Sequence, residues 1–198
     1  MTDLAALLDS PEYQRNVRLA HLHGRSLRQR EIDRFGELGV RAIDLGTPWP
    51  VLADRVLFDG EFFSFADGTD MIGEPAFTMG IISNAGMIDI AAWDPVAKRI
   101  GLWTDEGFAL GERQIHHPNP LVRGLHVFRD PVGWLRAGRC GIVIIRSGFA
   151  RAVLGDVPLL IAEDEQHRAE LQDLLGMTGP QIGAYCEPAS RAAAEVMP

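Results

Sequence analysis

The sequence predicts an α+β fold with N-terminal helices, an antiparallel β-meander in the middle and a small αβ layer at the C-terminal end. Three observations carry this. Helix caps punctuate the first fifty residues, with Ser10-Pro11 the clearest. From Asp54 to Ile115, short β-favouring runs recur about every ten residues with a turn signal between them. Beyond Gly124 the strands become apolar throughout and alternate with helical segments, the pattern of a sheet covered on both faces. The expected division is residues 1–50 as a helical segment, 51–176 as the α+β core and 177–198 as a loose tail.

The first cap places Ser10 at N-cap and Pro11 at N1 of a helix that runs to about His23 and ends at Gly24. Ser26 with Gln29 three positions on reads as a capping box, opening a second helix to Leu38. A third short helix spans Val40 to Leu45, before Thr47-Pro48-Trp49-Pro50 forces extended chain.

In the meander, Asp59-Gly60 lies between Arg55–Phe58 and Glu61–Phe65. A two-residue type I′ turn would give both residues positive φ. Strands are expected at Ala76–Ser83, Met87–Trp93, Arg99–Thr104 and Phe108–Leu110. The aromatic residues of these strands mostly alternate and should fill one sheet face. Consecutive Phe62 and Phe63 must point to opposite sides.

After the His116–Pro120 loop the reading is strand Leu125–Phe128, a helix from Asp130-Pro131 to Ala137, strand Ile142–Ile145, a helix capped by Ser147, strand Val157–Ala162, and an amphipathic helix to Leu175. The run Glu163-Asp164-Glu165 suits the first turn of that helix, where the macrodipole favours carboxylates.

Composition excludes several classes. The net charge of −8 disfavours a generally basic nucleic-acid binder. No apolar run approaches the ~20 residues of a membrane span, and no membrane contact is expected. The first residues lack the charged and apolar regions of a signal peptide, so a cytoplasmic location is expected. Cys140 and Cys186, far apart and in no CxxC, read as reduced thiols. No cofactor is expected, because no motif carries one.

Two constellations could carry function. Arg15, Arg18, Arg25, Arg28, Arg30 and Arg34 lie on two consecutive helices and are candidates for nucleic-acid contact. Helices followed by a hairpin suggest a winged helix, but the third helix is short and carries Asp44. The plainer reading is a solvated face with Arg30 and Arg34 paired to Glu31, Asp33 and Glu37. His116, His117 and His126, with nearby carboxylates, are candidate metal ligands, although no HxH or HExxH spacing sets two of them on one face.

The segments Ile88–Pro95, Pro131–Gly138 and Trp49–Leu52 together resemble uncharacterised proteins carried in bacterial prophages and integrated mobile elements. The resemblance implies a mobile-element setting and supplies no catalytic residue. The expected function is a non-catalytic accessory or binding protein acting through a protein partner, a second copy of itself or nucleic acid. The alternative is a small metal-dependent hydrolase or nuclease built on the three histidines.

Overall fold

The computed structural model describes residues 10–66, 73–117, 124–176 and 180–184. Helix α1 (Pro11–His21) starts where expected, with Ser10 Oγ accepting from the Tyr13 N–H at 3.2 Å. The second cap differs from expectation. Arg25–Ser26 forms a two-residue strand, β1, and α2 (Gln29–Glu37) begins at Arg28, whose N–H donates to the Glu31 carboxylate at 2.7 Å. Ser26 is drawn into pairing with Leu52 instead of capping. Helix α3 spans Ala42–Gly46.

The middle of the chain is a small closed barrel. Its strands are β2 (Leu52–Asp59), β3 (Phe62–Phe65), β4 (Glu74–Ser83), β5 (Gly86–Asp94) and β6 (Arg99–Leu102). Their order is β2-β3-β6-β5-β4, and β2 pairs again with β4 to close the ring. The seam between β3 and β6 is a single parallel pair, Phe62 with Leu102.

Closure explains why the aromatic residues do not fill one face. Along β5, Ile90 and Ala92 point inward with Val56, Phe63 and Ala76, where Val17 of α1 joins them. Ala91 and Trp93 point outward into a second cluster with Phe35, Met79, Leu102 and Trp134. Phe62 and Phe63 diverge as expected, at 37% and 4% exposed.

The Asp59-Gly60 turn is shifted by one residue. Asp59 pairs with Phe62, so the loop residues are Gly60 and Glu61. Gly60 has φ +60°, whereas neither Asp59 nor Glu61 has positive φ. That pattern is the type II′ arrangement, with glycine at the first loop position. The hairpin is a barrel wall and not the wing of a winged helix.

The expected strand at Phe108–Leu110 leaves the meander. As β7 (Ala109–Leu110) it joins a second sheet with β8 (Leu125–Phe128), β9 (Ile142–Ile144), β10 (Leu159–Ala162) and β11 (Gln181–Ala184), in the order β11-β10-β8-β9-β7. All pairs but β7–β9 are parallel. The short helix α4 (Arg113–His116) follows β7, and α5 (Pro131–Arg136) links β8 to β9. After β9 come a 3₁₀ turn at Ser147–Phe149, then α6 (Ala150–Leu154) and, after β10, α7 (Glu165–Leu175). Helices α6 and α7 cover one face through Leu154, Leu171 and Leu175. The other face meets α5 and the barrel in a common core. Strand β11 lies where a loose tail was expected; residues 177–179 and 185–198, including Cys186, fall outside the described residues. Cys140 is a half-buried free thiol.

Barrel and layer are joined by one buried carboxylate. Asp89 of β5, fully buried, accepts from the Ile90 and Thr104 N–H groups at 2.7 and 3.0 Å and from Gly107 N–H at 3.0 Å. Burial pushes its carboxyl up, against the pull of these donors. A Cβ at Gly107 would meet Ile81 at 2.8 Å and Asp89 at 3.0 Å, so a larger residue there would need its neighbours to shift. Among the described residues no helix is long and apolar enough to cross a membrane.

Two stability outcomes follow. Asp89→Ala should cost about 3 kcal/mol or more, because three N–H groups lose their acceptor at once. Gly60→Val should cost about 1 kcal/mol or more, because a β-branched residue resists positive φ. Denaturant midpoints check both, and an unchanged midpoint in either variant would refute its assigned role.

Candidate functional site

Helix α2 is short and strongly amphipathic, and its buried residue is Phe35. The Phe35 ring meets Phe77 of β4 at 5.0 Å, edge to face, and Trp93 of β5 at 6.4 Å. Phe77 and Trp93 are themselves 6.1 Å apart. This triad anchors α2 to the outer barrel wall by aromatic burial. A groove of about 630 Å³ runs beside this contact. That volume is in the range that holds a small ligand or a few side chains.

One bank of the groove is the stripe Arg30, Arg34 and Leu38, one helical turn apart each. The other bank is Glu74 and Pro75 of β4, with Asp94, Pro95 and Val96 from the end of β5. Arg25, Ala53 and Asp54 lie at one end. Leu38 is 47% exposed and Val96 is 83% exposed, so large apolar side chains stand free on both banks.

The electrostatics resolve into pairs. Glu31 takes a two-pronged contact from Arg25 at 2.6 and 2.8 Å. This contact holds the Glu31 carboxyl down at about 2. Asp54 pairs with His23 Nδ1 at 2.9 Å. Glu74 and Asp94 both face Arg99. Each carboxylate lining the groove therefore has a basic neighbour, although Glu74 and Asp94 share one arginine and His23 is a cation only when protonated. The side chains of Arg30 and Arg34 make no hydrogen bond or ion pair among the described residues, and with Arg25 they set three arginines against the four carboxylates of the lining. The expected pairing to Glu31, Asp33 and Glu37 does not form, because Glu31 turns to Arg25 and Asp33 accepts from Gln29.

Of the six candidate arginines, the structure brings Arg25, Arg30 and Arg34 to this groove. Arg15 sits apart on α1, beside Glu12 and Leu19. Arg18 lies over the Trp49 ring at 5.5 Å, and Arg28 is the N-cap of α2. His116 and His117 are exposed at the end of α4, whereas His126 is half-buried in β8, stacked on Phe128. Among the described residues no group of three His, Cys, Asp or Glu side chains is placed to hold a metal.

The acidic run after β10 is structural. Asp164 caps α7 by accepting from His167 N–H at 2.7 Å. Arg129, at the end of β8, grips Asp164 at 2.7 and 3.0 Å and Glu170 at 3.0 Å. This grip holds the Asp164 carboxyl well below the usual carboxylate range.

The Arg30–Arg34–Leu38 stripe is visible in the sequence as an i, i+4, i+8 series. The opposite bank is not, because Glu74 to Val96 reach it only through barrel closure. No protein-family model matches the chain, and no curated protein and no solved structure matches it significantly.

The Arg25–Glu31 contact gives a pH signature. Glu31 titrates at about 2 in the folded chain against an ordinary 4.5, so its contribution is complete above 4.5 and is lost as pH falls toward about 2. Glu31→Gln should flatten the acid limb of the stability profile in that window. A profile identical to the parent chain's would show that the contact contributes nothing.

Proposed function

We propose that this chain is a non-catalytic binding protein of the cytoplasm, and that its ligand enters the groove between α2 and the barrel. The observation that supports the reading is the exposure of Leu38 and Val96 in the lining of one groove, beside two arginines whose side chains are unpaired among the described residues. Scattered apolar residues on a surface need no explanation, but two that line one preformed groove suit a recognition site. In a mobile-element setting such a protein would serve an accessory role beside that element's own machinery. A catalytic reading would need a reacting constellation, and the groove carboxylates instead lie against basic neighbours, Glu31 against Arg25, Asp54 against His23, and Glu74 and Asp94 against Arg99.

A protein-observed NMR screen with amphipathic fragments, following the chain's backbone amides, tests this. Hits should shift the backbone amides of Arg30, Arg34, Leu38 and Val96. Leu38→Arg should weaken them at least about tenfold while changing stability by no more than about 0.5 kcal/mol, as expected of an exposed site. Hits that map elsewhere would end the groove reading. Stoichiometric zinc or manganese in the purified protein would favour the metal-dependent hydrolase instead.

A further inference from the structure

We infer that His21 is an acid-sensitive latch, and that protonation of its imidazole releases helix α1 from the barrel.

Helix α1 is held by one face. Tyr13, Val17 and His21 follow one another at four-residue spacing, so they share a side of the helix. The Tyr13 hydroxyl donates to the Ile88 carbonyl of β5 at 2.9 Å. Val17 enters the barrel interior beside Val56, Ala76, Ile90 and Ala92. His21, the last residue of the helix, is 1% exposed, with Nε2 at 3.0 Å from the Pro50 carbonyl oxygen. Val17 and His21 are the buried residues of α1 among those described. The helix gives no side chain to the core that joins α2, α3, the barrel and the layer, so it can lift without opening that core.

The latch works through the second ring nitrogen. A carbonyl oxygen only accepts, so Nε2 carries the proton of the neutral ring and donates it to Pro50, which leaves a bare lone pair on Nδ1. Nδ1 is buried and has no hydrogen-bond partner among the described residues. A second proton there would make a buried N–H without an acceptor. Nor does the imidazolium meet a counter-charge. The charged group that acts on the ring is the Arg139 guanidinium, from the turn after α5. Carboxylates of the surrounding elements are engaged: Asp44 of α3 by Arg41, Asp54 of β2 by His23, and Asp89 of β5 by its three N–H donors.

The sign follows from these contacts. Burial holds the seated imidazole below its ordinary 6.5; the Pro50 carbonyl opposes this, and Arg139 adds to it. In a lifted helix the ring meets water and takes up its proton near 6.5. The seated state is therefore favoured above that pH and loses ground as pH falls below it. Lifting also frees the Thr78 hydroxyl of β4, which is buried without a partner under the turn that follows α1, 3.4 Å from where a Cβ on Gly24 would stand.

Amide hydrogen exchange of the full chain, read by NMR at about pH 7.5 and about pH 5 and corrected for the intrinsic rate, tests this. The α1 amides should lose protection at least about tenfold on acidification, while those of β4 and β5 keep theirs. The ring-nitrogen signals of His21 should show the neutral Nε2–H form while the helix is protected, and protonation only as that protection falls. His21→Gln keeps a donor for Pro50 but takes no proton, and its α1 should stay protected at both values. His167→Gln, which removes the other buried histidine, should behave like the parent chain. A protonated His21 in a still-protected helix would overturn the latch. So would equal loss of protection in α1 and the barrel, or acid-induced loss in His21→Gln as large as in the parent. The ring signals of the parent decide the matter even where His21→Gln does not fold.

Discussion

The Asp89 carboxylate is the constraint on which the rest of the molecule depends. It accepts from N–H groups on its own strand, on the residue leaving β6 and on the residue entering β7. A buried donor left without an acceptor costs about 1–3 kcal/mol, so three donors sharing one carboxylate make the path from barrel to layer hard to alter. Glu112 repeats the device a few residues on, accepting from Phe108 and Ala109 N–H at 2.7 and 3.3 Å. Two buried acids thus hold the short stretch where the chain passes from an antiparallel barrel to a mostly parallel sheet.

The groove is a by-product of how α2 is held. One aromatic triad fixes the helix to the barrel wall, and the Arg25–Glu31 contact fixes its first turn. The helix is thereby anchored at its centre and start, while its outer stripe stands off the wall. Arg25 is occupied by its contact with Glu31, whereas the side chains of Arg30 and Arg34 make no hydrogen bond or ion pair among the described residues.

Local chemistry was legible in the sequence. Ser10-Pro11 and Asp130-Pro131 start helices in the structure because cap and N1 proline act within a few residues. The runs at Ile142 and Leu159 form strands for a similarly local reason, since nothing polar interrupts them, and the run at Leu125 does so with His126 as its one polar residue. The misreadings share a different cause. Ser26 and Gly60 are placed by strand pairing, which overrides a capping propensity and moves a turn by one residue. Strand β7 has β-favouring residues whichever sheet it joins, so its destination is set by its pairing with β9 and by the Asp89 and Glu112 carboxylates, not by its own sequence. The groove was half legible: its helical stripe has a period, but its far bank is assembled by strand pairing between distant segments.

The core that includes Phe35, Met79, Trp93, Leu102, Trp134 and Val143 draws on the helical segment, the barrel and the layer together. No piece of the chain can expose its share of that core without stripping the others of theirs. Melting should therefore be a single cooperative event. A protease that gains entry at one loop would find the whole molecule open, not one lobe. For a partner seated between α2 and the barrel, gripping one helix would then stabilise the entire chain against degradation.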